Sequence, residues 1–118
     1  MTAVLVSREL LFSTRLGDIC ARAGVQLRRV DSPADLPPAT SALLVLVDWA
    51  ERTPDWASRL ATWAGTAADG RRARVVLFGP HADLEAHAAA RAAGLGPMMA
   101  RSRLLAMLPE LLANGQEA

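Results

Sequence analysis

The positions of this 118-residue sequence that are best placed to do chemistry directly follow its apolar runs. Asp48 is the leading candidate, because it ends the run LLVLV and an acid at the mouth of a buried strand is often a chemical site. The guanidinium groups of Arg8 and Arg101 could pair bidentately with this carboxylate, or with a phosphate. The structural interpretation of Asp48 is simpler: a strand-end acid that is paired, as partly buried acids usually are.

Other catalytic and cofactor chemistries lack the residues that they need. His81 and His87 are six residues apart and belong to no cluster of Cys, His and Asp, so no zinc site is predicted. Ser7 has no histidine near it in a triad arrangement. The sequence also lacks the Gly- and hydroxyl-rich phosphate loop of flavin binders and the His-bearing motif of cobalamin binders. We therefore predict a protein that is not an enzyme and holds no cofactor.

Composition predicts one ordinary globular domain over residues 1–118. Apolar residues make up 52% and charged residues 21%, which suits a buried core. A net charge of +1 predicts neither a nucleic-acid nor a membrane partner. The lone Cys20 excludes an internal disulfide and is predicted to be a packed core thiol. With no signal peptide and no apolar run of about 20 residues, the expected location is the cytoplasm.

Apolar runs of strand length alternate with helical periodicity along the chain. Strands are predicted at 3–6, 25–30, 42–47, 74–78 and, more weakly, 97–100. About five helices are predicted between and after them: one ended by Gly24, a short turn or helix from Asp31, one capped at Thr53–Asp55, one over 82–93, and one capped by Ser102. Pro109 should bend the last helix, and 65–72 is predicted to be a polar connection. This order predicts an α/β fold with a parallel sheet covered on both faces, whose functional groups gather where the strands end.

Three segments, in this order, resemble response-regulator receiver domains over nearly the whole chain. VLVDWA resembles the third strand, which ends in the phosphoacceptor aspartate, and VVLFGPHADLEAHAAARAAG resembles the fourth strand and helix. GLGPMMARS resembles the segment with the fifth strand and its lysine. The resemblance implies a flavodoxin-like, doubly wound sheet of five parallel strands in the order 2-1-3-4-5.

A working receiver uses an acid pair for Mg²⁺, an aspartate, a Ser or Thr hydroxyl, and a lysine. The resemblance places Ser7 and Arg8 at the acid pair, with Glu9 next to them, while Asp48 retains the aspartate. The hydroxyl and lysine positions are matched by Gly79 and Arg101. A cation at Arg8 would repel Mg²⁺, and the metal would lack oxygen ligands. These positions therefore form a vestigial phosphoacceptor pocket in which Mg²⁺ is not expected: Ser7, Arg8, Glu9, Asp48, Gly79 and Arg101.

The predicted function is that of a stand-alone, non-catalytic pseudo-receiver, which acts by protein contacts in a phosphorelay-type or regulatory pathway. Two alternatives stay open. The chain could be a genuine phosphoacceptor that is phosphorylated on Asp48. It could also be a small-anion or nucleotide sensor that uses Arg8 and Arg101.

Two residues are candidates for contacts with another protein. Trp49 follows Asp48 and is predicted to be an exposed anchor, whereas Trp56 and Trp63 are predicted to face the core. The last helix has more apolar positions than one face needs, which leaves Leu105 as surplus. Together with the resemblance, this surplus predicts a homodimer through the fourth helix, fifth strand and fifth helix of the receiver fold.

Overall fold

The sheet has four parallel strands in a computed structural model that describes residues 1–65 and 74–117. The strands are β1 (Thr2–Val6), β2 (Gln26–Val30), β3 (Leu44–Asp48) and β4 (Val75–Phe78), and their order across the sheet is β2-β1-β3-β4. β1 and β3 lie in the centre, and β3 is buried along its whole length. Their continuous apolar runs form strands because both faces of a central parallel strand are covered.

Four α-helices cover the two faces of the sheet in the described part of the chain. They are α1 (Leu10–Arg22), α2 (Trp56–Ala64), α3 (Leu84–Ala92) and α4 (Arg101–Glu117). α1 and α4 pack on one face, in a core that contains Phe12 and Leu104, whereas α2 and α3 pack on the other. None of these helices combines the length and the apolar character that crossing a membrane would require.

The predicted fifth strand is reduced to a single bridge, so the expected five-stranded order is wrong by one strand. Met99 forms an isolated parallel bridge with Phe78 at the edge of β4. The Met99 N–H donates to the Leu77 carbonyl at 2.9 Å, and the Gly79 N–H donates to the Met99 carbonyl at 3.0 Å. A strand cannot extend further here, because Pro97 has no N–H to donate and α4 already begins at Arg101.

Several predicted helix boundaries also differ from the structure. The short turn or helix expected from Asp31 is a 3₁₀ turn over Pro33–Asp35, whereas α2 begins only at Trp56, with Asp55 as its N-cap. Ser102 lies inside α4 and does not cap it. Of the polar connection predicted at 65–72, residues 66–72 lie outside the described residues. The elements that carry the candidate site are nevertheless in the expected order.

Candidate functional site

The candidate site lies at the edge of the sheet where the parallel strands end. Ser7 follows β1, Asp48 ends β3, Gly79 follows β4, and Arg101 begins α4. Because parallel strands end at one edge, residues that are far apart in the sequence become neighbours there. Ser7 and Asp48, which are 41 residues apart, are joined by a hydrogen bond.

The Asp48 carboxylate is buried, with 1% of the residue exposed. The Ser7 hydroxyl donates to Asp48 Oδ2 at 3.0 Å, and Arg101 Nη2 donates to the same oxygen at 3.4 Å. Asp48 Oδ1 is also buried and has no hydrogen-bond partner among the described residues. Burial raises the pKa of Asp48, because removal of water disfavours the charged carboxylate more than its two partners favour it.

Arg101 is held by two carboxylates and two aromatic rings. Its Nη2 lies 2.5 Å from Glu9 Oε2, and its guanidinium carbon lies 4.8 Å from the centre of the Phe12 ring and 5.9 Å from that of Phe78. The hydrogen bond between Arg101 and Glu9 raises the pKa of Arg101 and lowers that of Glu9. Arg101, which the resemblance places at the position of the receiver lysine, is therefore already paired within the molecule.

Arg8 does not face Asp48, contrary to the predicted pair of arginines around that carboxylate. Its side chain is exposed and forms no salt bridge within residues 1–65 and 74–117. Its backbone N–H instead donates to Glu51 Oε1 at 2.9 Å, which turns the loop after β1 toward the loop after β3. Only Arg101 supplies a positive charge to Asp48 in the described structure.

Several of the oxygens at this edge that could bind a magnesium ion are already engaged by protein groups. A hard divalent cation needs several oxygen ligands that are free to bind it. Glu9 is bound to Arg101, while Ser7 bonds Asp48 and accepts the Glu9 N–H at 3.1 Å. Across the described ranges, no three His, Cys, Asp or Glu side chains are arranged to hold a metal ion.

The space beside Gly79 is filled by Met98, a residue that sequence reasoning did not single out. A Cβ atom built on Gly79 would lie 2.8 Å from Met98 Sδ, closer than real Cβ atoms approach a neighbour. Met98 is 4% exposed, so the thioether has little room to move away. A side chain at the position that the resemblance assigns to the receiver hydroxyl would therefore require the buried Met98 thioether to shift.

Trp49 is buried, so its predicted role as an exposed anchor is wrong. Only 1% of the residue is exposed, and its Nε1–H donates to the Ala86 carbonyl at 3.0 Å. A 3₁₀ turn over Trp49–Glu51 directs the indole under α3, where Ala86 and Ala90 leave room for it. The small inner face of α3 could have suggested a bulky neighbour, but not which residue supplies it.

Leu105 is partly buried and packs against the core under α1 and α4. It is therefore not the surplus exposed leucine that the homodimer prediction assumed. Trp56 is buried and Trp63 partly buried, as expected for the inner face of α2. The leucines that are strongly exposed in the described structure lie elsewhere, at Leu10, Leu11 and Leu84.

Comparison with known proteins gives a match at the level of structure. Neither the family models nor the curated proteins that were compared match this sequence. The solution structure of a response regulator protein from Burkholderia multivorans is similar over 99% of this chain and 95% of that chain, with a TM-score of 0.73 and 20% sequence identity. The chain therefore has a receiver-like α/β fold, with four strands and a single bridge where the fifth strand was expected.

Proposed function

We propose that this chain is a non-catalytic signalling domain of the cytoplasm, a pseudo-receiver that acts through contacts with another protein and not through phosphorylation. One observation carries the proposal. The Asp48 carboxylate is buried and bonded to Ser7 and Arg101, at a site where Glu9 is bound to Arg101 and Glu51 accepts the Arg8 N–H. Ser7 and Arg101 both bond Oδ2, so a phosphoryl group would attach to Oδ1, which is buried and has no partner in the described part of the chain. Its charge would be added next to Glu9 without a compensating metal ion.

The absence of space at Gly79 supports the same proposal. In a switching receiver, a hydroxyl at this position follows the phosphoryl group and moves the helix after it. Here the Met98 thioether fills that space, and Trp49 ties the end of β3 to α3 through Ala86. We infer that this edge of the fold is held in one conformation, so that the domain presents a constant surface to its partner.

The decisive experiment is incubation of the protein with acetyl phosphate and Mg²⁺, followed by intact-mass spectrometry. The expected result is no gain of a phosphoryl group. A gain that hydroxylamine removes and that Asp48→Asn abolishes would overturn the proposal in favour of the phosphoacceptor alternative. Asp48→Asn is the matched control, because it keeps the size of the side chain while removing the nucleophile.

The small-anion sensor requires a separate test, because Arg8 and Arg101 do not converge on one position. Thermal unfolding in inorganic phosphate or ATP, at constant ionic strength, is expected to give the same midpoint as unfolding without either anion. A rise in midpoint that Arg101→Ala removes would favour the sensor instead.

A further inference from the structure

The outer face of α1 carries a stripe of one exposed leucine and three exposed residues of alternating charge. Leu11, Arg15, Asp18 and Arg22 follow one another at spacings of four, three and four, so they lie along one side of the helix. Leu11 is 82% exposed, and the three charged residues are exposed as well. None of these three forms a salt bridge within the described ranges, so their charges are available to a partner.

A groove runs beside this stripe, between α1 and α4. It has a volume of about 280 Å³ and is lined by Arg15, Asp18, Ile19, Arg22 and Leu105. Ile19 and Leu105 form its apolar floor, and the charged residues form its rim. A groove of this size and lining can receive one branched apolar side chain that is flanked by charges.

We propose that the partner of this face is a second copy of the chain, with the two α1 helices packed antiparallel about a two-fold axis between residues 16 and 17. At a rise of about 1.5 Å per residue, this arrangement sets Arg15 at the same height as Asp18 of the second copy. By symmetry, Asp18 then faces Arg15 of that copy, and both pairs have opposite charges. Leu11 lies level with Arg22 of the second copy, where the groove between α1 and α4 can receive it.

The order of the charges favours a second copy over an acidic partner. An acidic segment could pair with Arg15 and Arg22 but would bring a carboxylate against Asp18, which lies between them. Arg15 and Asp18 instead complement each other when the helix is reversed, as an interface with two-fold symmetry requires, and Arg22 then faces Leu11. A contact made mainly by one helix from each copy is small, so the dimer is expected to be weak and to depend on concentration.

Charge reversal tests this pairing directly, with sedimentation equilibrium of the full chain over a series of concentrations. Arg15→Asp and Asp18→Arg each place like charges opposite one another, so each variant is expected to weaken dimerisation by about tenfold or more. The double variant restores opposite charges and should dimerise as the parent does. A mixture of the two single variants should form a heterodimer, because each then supplies the charge that the other lacks.

Leu84→Asp is the matched control, since Leu84 is 80% exposed but lies on α3, across the sheet from α1. It should leave the dimer unchanged, whereas Leu11→Asp should disrupt it. A parent protein that stays monomeric at millimolar concentration would overturn the proposal, as would single variants that dimerise like the parent or a double variant that does not recover. None of these variants touches the Asp48 pocket, so the result is independent of the function proposed above.

Discussion

Gly79→Ser is expected to destabilise the protein, although it introduces the kind of residue that the receiver resemblance implies for this position. The new Cβ would lie 2.8 Å from Met98 Sδ, so either the thioether or the backbone must move. Overpacking of this kind costs about 1–3 kcal/mol. For a domain of this size, that cost lowers the thermal midpoint by about 4–12 °C. The φ angle of Gly79 is not positive, so the cost comes from the contact and not from the backbone.

The role of Met98 can be isolated by a double-mutant cycle measured by urea unfolding. Met98→Ala alone should cost about 2–5 kcal/mol, because it opens a cavity in the core. On that background the added serine has room, so Gly79→Ser should cost about 1–3 kcal/mol less than it does in the parent. This difference is the coupling free energy between the two positions.

Gly65→Ser provides the control for adding a side chain to a glycine. Gly65 is exposed, has a φ of −73°, and a Cβ there would meet its nearest atoms at 3.5 and 3.6 Å, which is ordinary contact. The Gly65→Ser substitution should change the free energy of unfolding by less than about 0.5 kcal/mol. If Gly79→Ser is equally harmless, or if it lowers stability by the same amount with and without Met98, then the contact with Met98 does not determine the stability of the protein at position 79.

Three further predictions concern side chains around the pocket, each measured by urea unfolding. Burial raises the pKa of Asp48, so the folded protein binds the proton of this carboxyl more tightly than the unfolded chain does. The stability that this tighter proton binding supplies is lost as the pH rises above about 4, where the unfolded chain loses its proton. Asp48→Asn should therefore gain stability relative to the parent between pH 4 and 8. Arg101→Ala should lower the free energy of unfolding by about 1–3 kcal/mol, because it leaves the buried Asp48 without a cation. Arg101→Lys should lower it by less, since the positive charge is kept. The ion pair with Glu9 is half-exposed and adds little to either loss. Trp49→Phe should cost about 1–3 kcal/mol, because the Ala86 carbonyl loses its donor and the smaller ring leaves a gap.

Each of these predictions has a contradicting result. A stability difference between Asp48→Asn and the parent that does not change with pH would mean that Asp48 titrates normally. Equal losses in Arg101→Ala and Arg101→Lys would mean that the charge at this position does not stabilise the pocket. Ser58→Ala, at an exposed position on α2, is the control for Trp49→Phe. If Trp49→Phe lowers the free energy of unfolding no more than Ser58→Ala does, the prediction for Trp49 is wrong.

The sheet could be predicted from the sequence because its two central strands contain the continuous apolar runs AVLV and LVLV. A run such as ALLVLV has only one stable place in a domain of this size, between two helical layers. The missing fifth strand could not be read in the same way. Whether Pro97–Ala100 pairs over several residues or only one depends on where α4 begins, and helix starts are the least certain feature of a sequence pattern.

The meeting of residues at the strand ends could be predicted from the sequence, but the directions of their side chains could not. Asp48 and Arg101 were expected to meet, and they do so because both stand where parallel strands end. The directions of the Arg8 and Trp49 side chains depend on the turns that follow β1 and β3. Long-range contacts determine the course of these turns, such as the hydrogen bond from the Arg8 N–H to Glu51. Trp49 also bonds a residue 37 positions away, which no local periodicity can indicate.

The packing of Met98 against Gly79 also limits how this protein can evolve. Two of the four glycine codons become serine codons by a single nucleotide change, yet the first protein produced would carry the clash described above. The opposite order, in which Met98 shrinks first, passes through a protein with a cavity in its core. Both mutational paths to a hydroxyl at position 79 therefore begin with a loss of stability, and selection for a folded protein opposes each first step.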